Sequence, residues 1–203
     1  MDERRRLASE QLSRMRGMTV EYHRRFFSDI RVAIVVISAL FVAGFWEVPE
    51  AFLLIPVVAL YTAVQTAFDA SYLIFARHYA AALETDLNRQ LGTRLHVGGE
   101  LENTYLFPLN ERKIVTAAAG SGFSWFGFVT LFYTLLGLGA GLFGLALGWT
   151  SVLTDAAPGW QWGYLGSLGL LAFAALATGF WWFVGGAGEA RLHRVLEDFP
   201  REM

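Results

Sequence analysis

The amino-acid sequence predicts an all-α integral membrane protein with four transmembrane helices and both termini in the cytoplasm. All sixteen basic residues lie in three blocks, 4–31, 77–113 and 191–201. The stretches between them, 32–76 and 114–190, contain no Arg or Lys. Each stretch is long enough to cross a bilayer twice, because one crossing takes about 20 apolar residues. Since Lys and Arg flank membrane helices on the cytoplasmic side, all three blocks are expected there.

Composition supports an integral membrane protein and excludes several kinds of functional site. Hydrophobic residues make up 55% of the chain and charged residues 17%, whereas a typical soluble domain has about 25% charged residues. Cysteine is absent, which excludes disulfides, thiolate metal sites and cysteine nucleophiles. The high ratio of Arg to Lys is typical of a GC-rich bacterial genome. We therefore expect a multi-pass protein of the bacterial inner (plasma) membrane.

Residues 1–29 are predicted to form a cytoplasmic amphipathic helix rather than a signal peptide, because they are rich in charge. Three placements are open: packing on the cytoplasmic part of the second helix, lying on the inner leaflet as a basic anchor, or remaining solvated. The first transmembrane helix is predicted at 30–46, near the lower length limit for a bilayer. Arg31 at its start is expected to reach the inner interface. The apolar side of segment 3–28 carries Leu12, Met15, Met18, Thr19, Tyr22 and Phe26.

The second helix is predicted over 51–91. Pro49 suits a helix start, Pro56 lies within the first two turns, and no helix breaker follows before Gly92. At 1.5 Å per residue this helix is about 60 Å long, so its second half projects into the cytoplasm. Arg77, Glu84 and Arg89 are expected to point away from the apolar stripe of this projecting part, which needs a partner surface. The stripe comprises Phe75, Tyr79, Ala82, Leu83, Leu87 and Leu91.

A cytoplasmic loop is predicted over 92–113. The third and fourth transmembrane helices follow at 121–148 and 159–184, and residues 185–203 form a cytoplasmic tail. All seven tryptophans fall close to the predicted membrane interfaces, as an aromatic belt requires. The loop contains an apolar patch, 105–109, that could enter the inner interface or contact a partner. Its Gly98-Gly99 pair lacks the Lys and Ser/Thr context of a phosphate loop.

Asp69 is the one acidic residue deep within a predicted transmembrane helix, and such a carboxylate is a functional candidate by default. One interpretation is an ion pair between Asp69 and Arg31. The other is that Asp69 belongs to a polar row that lines an ion pathway or an aqueous vestibule. This predicted polar row consists of Tyr61, Gln65, Asp69 and Tyr72.

Glycines mark one face of the third transmembrane helix and the start of the fourth. Their spacing includes GxxxG pairs, which allow close contact between helices. Either the two helices pack on each other within one copy, or one face mediates homo-oligomerisation. The glycines concerned are Gly137, Gly141, Gly144 and Gly148 on the third helix and Gly159, Gly163 and Gly166 on the fourth.

The function these features favour is a homo-oligomeric channel or pore with a cytoplasmic helical regulatory region. The alternative is a non-catalytic sensor or adaptor that couples a membrane event to a cytoplasmic protein partner through 74–113 and 3–28, for example in bacterial stress or phage defence. We predict no enzyme, catalytic residue, cofactor, metal site or nucleic-acid partner. The four histidines show no metal-ligand spacing, although His23 and His78 could pair and sense pH. The remaining expected partners are the lipid bilayer and further copies of the chain.

Overall fold

The computed structural model describes residues 2–105, 113–114, 117–118 and 125–202. These residues are almost entirely helical. In chain order the helices are α1 (Asp2–Trp46), α2 (Ala51–Leu91), α3 (Gly98–Tyr105), α4 (Trp125–Ser151), α5 (Pro158–Gly179) and α6 (Ala187–Glu202). A 3₁₀ turn at Leu153–Asp155 precedes α5, and a π-helical turn at Phe180–Val184 follows it. The strands β1 (Lys113–Ile114) and β2 (Ala117–Ala118) form one short antiparallel pair.

Four helices are long and apolar enough to cross a membrane, by length and composition. They are α1, α2, α4 and α5, and the last of these continues through the π turn to Val184. The all-helical fold class and the number of candidate transmembrane helices are therefore confirmed.

The two long helices end where breakers or turns allow it. The segments predicted separately as 1–29 and 30–46 form one uninterrupted helix, α1. Helix α2 has the bounds that Pro49 and Gly92 suggest, and Gly92 ends it with φ +64°, a conformation that glycine adopts without strain. Two segments predicted as a loop and a tail instead contain helices, α3 and α6.

The chain divides into two compact units. We call the first the charged unit: Met1–Phe26, Phe68–Thr130 and Trp181–Met203. The second, the apolar unit, comprises Phe27–Ala67 and Leu131–Phe180. Of the sixteen basic residues, the apolar unit contains only Arg31.

In the apolar unit, α2 contacts the other three helices. The Phe52 ring packs edge-on against Phe45 of α1, with ring centroids 5.0 Å apart. On α5, the Tyr164 hydroxyl donates a hydrogen bond of 2.7 Å to the Leu53 carbonyl. Ile55 faces Gly144 of α4 so closely that an added methyl group there would lie 2.7 Å from the Ile55 Cβ.

The core of the charged unit is an apolar cluster between the first half of α1 and the second half of α2. Packing on α2 is thus the placement that the structure shows for segment 3–28, among the three that the sequence left open. Leu83 and Leu87, both from the predicted stripe, lie at its centre. Burying one such leucine contributes about 1.5–3 kcal/mol relative to leaving it exposed. The α1–α2 cluster comprises Ala8, Leu12, Met15, Ala80, Leu83 and Leu87, with Met18 and Tyr79 packed against it.

Candidate functional site

The charged unit contains a row of buried polar side chains on α2. Arg77, Glu84 and Asn88 follow one another at i, i+7 and i+11, a spacing that places them on one face of a helix. Arg77 and Glu84 are both buried. Each member of this row bonds to α3 or to the loop before it, so the row holds that segment on α2.

The Glu84 carboxylate joins three helices. Its Oε1 accepts a hydrogen bond of 2.6 Å from Nη2 of Arg16 on α1. Its Oε2 accepts a bond of 2.8 Å from the backbone N–H of Gly99, in the first turn of α3. A carboxylate is favourable there, because the first N–H groups of a helix lack partners within the helix and carry partial positive charge.

The Gly98-Gly99 pair is explained by this close approach. A methyl group at Gly98 would lie 2.5 Å from Nη2 of Arg16, and one at Gly99 would lie 3.2 Å from Oε2 of Glu84. A larger residue at Gly98 would require the flexible end of Arg16 to move, and one at Gly99 would require Glu84 to shift by a few tenths of an ångström. The glycines therefore allow an intramolecular carboxylate to reach the helix end.

Arg77 holds the middle of α3 and is almost inaccessible to solvent. Its Nε donates to Oε2 of Glu102 at 3.1 Å, and its Nη2 donates to Oδ1 of Asn103 at 3.2 Å. Burial lowers the pKa of Arg77, while the neighbouring Glu102 carboxylate opposes that shift. The pairing with Glu102 is what makes a buried guanidinium tolerable at this position.

Asn88 fixes the loop that leads into α3. Its Oδ1 accepts hydrogen bonds from the backbone N–H groups of Leu95 and His96, at 3.0 and 2.8 Å. Its Nδ2 donates to the His96 carbonyl at 2.7 Å. All of these contacts reach across at least seven residues of chain, so one amide side chain closes the turn between α2 and α3.

All four histidines lie in the charged unit. His23 of α1 is half-buried, and its pKa is lowered first by this burial and then by the charge of Arg77, with Glu102 acting in the opposite direction. The buried ring of His78 on α2 lies edge-on to His193 of α6, with centroids 5.4 Å apart. The suggested His23–His78 pairing stays a prediction, while the His78–His193 contact is one that the sequence spacing did not indicate.

The predicted polar row on α2 is divided between the two units. Tyr61 is exposed and Gln65 half-buried in the apolar unit. Asp69 is buried in the charged unit, where the Tyr72 ring stacks on Tyr22 with centroids 4.9 Å apart. The four side chains therefore do not share one environment.

The predicted ion pair between Asp69 and Arg31 joins residues of different units and stays a prediction. Arg31 is exposed, and its Nε donates to the Phe27 carbonyl one turn earlier, at 3.2 Å. Such a bond within one helix orients the guanidinium along α1.

The glycines of α4 and α5 have different neighbours. Gly141, Gly144 and Gly148 face Ala59, Ile55 and Leu53, so the partner of the α4 glycines is α2 rather than α5. An added methyl group at Gly137, Gly159, Gly163 or Gly166 would meet nothing within 4 Å. No residue of α5 is buried, which leaves its glycine face open.

The C-terminal part of the charged unit is arranged around two tryptophans. The Arg191 guanidinium of α6 lies 5.7 Å from the ring centre of Trp181 and 5.9 Å from that of Trp182, within cation–π range. Leu192 of α6 is buried. These contacts attach α6 to its unit and explain why the predicted tail is helical.

Sequence reasoning missed the row of Arg77, Glu84 and Asn88. It assigned Arg77 and Glu84 only to positions away from the apolar stripe. The available signal was their seven-residue spacing, which indicates a second face of α2. The predicted apolar patch 105–109 lies, except for the backbone of Tyr105, outside the described residues.

Within the part of the chain that the structure describes, no group of three or more His, Asp and Glu side chains is placed to hold a metal ion. Comparisons of the chain with family models, with curated proteins and with solved structures found no match.

Proposed function

We propose that the chain is a multi-pass protein of the bacterial inner membrane that assembles from several copies into a channel, with the charged unit as its cytoplasmic regulatory region. The observation that carries this proposal is the exposure of Tyr61. Its side chain is 68% exposed although it lies within a helix apolar enough to cross a membrane.

The depth of Tyr61 makes this exposure significant. Tyr61 lies about 15 Å along α2 from Ala51 at 1.5 Å per residue, close to the middle of about 30 Å of hydrocarbon. Gln65 follows one helical turn later and is only half-buried. In a single copy these polar groups would face lipid tails, which is costly. A water-filled path between copies would remove that cost.

Helix α5 supports an assembly of several copies. None of its residues is buried, and Gly159, Gly163 and Gly166 have open space beside them. Small residues at this spacing allow two transmembrane helices to approach closely. In the proposed assembly, a neighbouring copy packs on this face of α5.

The topology that belongs to this proposal places both termini and the charged unit in the cytoplasm. Its support is the distribution of charge, because Arg31 is the only basic residue outside the charged unit. The positive-inside rule then assigns that unit to the cytoplasmic side.

The test combines the mass in detergent with ion flux in liposomes. We expect an oligomer, and a flux that falls about fivefold in Tyr61→Phe, because one polar contact to a permeating ion is worth about 1 kcal/mol. Gln65→Leu should have a similar effect. Tyr133→Phe is the matched control, since it removes the same hydroxyl from α4. A monomer, or no flux in the wild type, contradicts the channel. A flux that Tyr61→Phe and Gln65→Leu leave unchanged contradicts an ion path along these residues.

A second candidate is the adaptor, which is favoured by the exposed apolar side chains around α3. Leu95 and Leu101 are 71% and 56% exposed in the charged unit, where lipid would not cover them in the proposed topology. The same purification separates the two functions. A monomer without flux that holds a soluble protein in a fixed ratio, and loses it in Leu101→Ser, supports the adaptor instead of the channel.

A further inference from the structure

Helix α3 exposes its one leucine, Leu101, while two of its polar side chains, Glu102 and Asn103, bond to Arg77 of α2. Its Gly99 is buried. A surface helix normally buries its apolar residues and exposes its charges. Polar contacts to α2 therefore hold the Gly98–Tyr105 helix in place.

Those polar contacts depend on geometry. Among the described residues they include the Gly99 N–H bond to Glu84 and the two bonds from Arg77 to Glu102 and Asn103. Hydrogen bonds weaken steeply once their distance or angle is lost, whereas apolar contacts tolerate small shifts. An eight-residue helix is also unstable by itself, so loss of these bonds releases the whole of α3.

The core of the charged unit does not need α3. Every member of the α1–α2 cluster belongs to α1 or α2, from Ala8 to Leu87, and none lies on α3. The apolar free energy that joins α1 to α2 therefore does not involve α3, and the two attachments share the Glu84 carboxylate, which bonds both Arg16 and Gly99. The contacts of α3 with α2 can be lost while the apolar contacts of α1 with α2 stay.

We propose that α3, with the loop from Thr93 to Val97, is an electrostatic latch that detaches from α2 as one element while α1 and α2 stay packed. Detachment exposes the buried side chains of Arg77 and Glu84 and frees the N-terminus of α3. The latch responds to anything that weakens the Arg77–Glu102 or Arg16–Glu84 pair. Helix α3 precedes α4, one of the candidate transmembrane helices, in the chain. Detachment of the latch would therefore free the chain shortly before that helix. This proposal does not depend on the channel.

The test is hydrogen exchange of the full chain in detergent, read by mass spectrometry. In the wild type, amides of 93–105 should exchange at least about tenfold faster than those of 80–91 and 8–18, because the latch opens without global unfolding. Raising the salt from about 0.1 M to about 1 M shortens the Debye length from about 10 Å to about 3 Å. That change should accelerate exchange in 93–105 selectively.

A matched pair of variants isolates the buried ion pair. Glu102→Gln keeps the shape of the side chain but removes the charge facing Arg77, and should accelerate exchange in α3 about tenfold, as expected for one charge-assisted hydrogen bond. Glu100→Gln makes the same change on the same helix, but at an exposed pair with Arg94. It should leave exchange unchanged.

Two results would overturn the latch. One is equal exchange of 93–105 and 80–91 in the wild type at both salt concentrations, since α3 would then open only with the whole unit. The other is an equal effect of Glu102→Gln and Glu100→Gln. If Glu102→Gln does not fold, the salt comparison in the wild type decides alone.

Discussion

The charged unit and the apolar unit are built from the same two long helices but follow different packing rules. In the charged unit, leucines such as Leu83 are buried and form the core. In the apolar unit, large side chains such as Leu170 and Phe173 are exposed, and close contacts at glycines join the helices. The charge distribution predicts water around the charged unit and lipid around the apolar unit. This explains the difference, because lipid provides no hydrophobic force that would drive leucines inward.

Exposure of a side chain therefore has opposite meanings in the two units. An exposed leucine on α5 is ordinary if lipid surrounds it, but Leu101 of α3 is unusual in a unit that carries nearly all of the charge. The reverse holds for polar groups, since the exposed hydroxyl of Tyr61 is ordinary in water and costly in hydrocarbon. Tyr61 departs from the rule of the apolar unit, and Leu101, like Leu95, departs from that of the charged unit.

The largest expected effect tests the first half of this comparison. Leu83→Ala removes a fully buried side chain from the α1–α2 cluster and should destabilise the protein by about 2–5 kcal/mol. Leu170→Ala makes the same change on an exposed position of α5 and should leave stability nearly unchanged. Thermal unfolding in detergent, followed by tryptophan fluorescence, measures both. Equal losses would show that α5 is buried in the assembled protein and that the two units pack alike.

A smaller effect is expected at the glycine contact of α4. Gly144→Val places a branched side chain against Ile55, whose Cβ would lie 2.7 Å from the new Cβ, and overpacking of this kind costs about 1–3 kcal/mol. Gly137→Val on the same helix has open space and should be tolerated. The unfolding midpoint again distinguishes the two variants. If Gly137→Val is the more harmful one, another copy occupies that side of α4 and the contact with α2 is secondary.

Local sequence signals predicted the long helices well. Pro49 and Gly92 bracket α2 because proline fixes φ at a helix start and glycine adopts the positive φ that ends the helix. The lengths of the apolar runs identify four candidate transmembrane helices. The apolar stripe of α2 likewise required a partner, which α1 supplies through Leu12 and Met15. These features depend on residues close together in the chain, so spacing alone reveals them.

Contacts between distant residues were not predictable in this way. Segment 92–113 was predicted as a loop, and helix α3 within it was missed, because the carboxylate that accepts from its first turn, Glu84, lies on another helix. The glycines of α4 indicated a close neighbour but could not say that it is α2. The burial of Arg77 depends on Glu102, twenty-five residues later. The spacing of Arg77 from Glu84 indicates a shared face of α2 but not this partner.

The smallest effect concerns His23 and the pH dependence of the charged unit. Burial, together with Arg77, lowers the pKa of His23 in the folded protein below its ordinary value of 6.5, against the opposing charge of Glu102. The unfolded chain then binds a proton at His23 more readily than the folded protein does. The stability that neutral His23 contributes is therefore complete above about pH 6.5, and it is lost as the pH falls toward the folded pKa. The effect should be small, because the half-exposed ring is partly screened by water. We expect the unfolding midpoint to fall between about pH 7.5 and about pH 5.5, and to fall less in His23→Gln. If the unfolding midpoint falls equally in the wild type and in His23→Gln, other groups cause the pH dependence. His23 would then not be a group through which acid destabilises the charged unit.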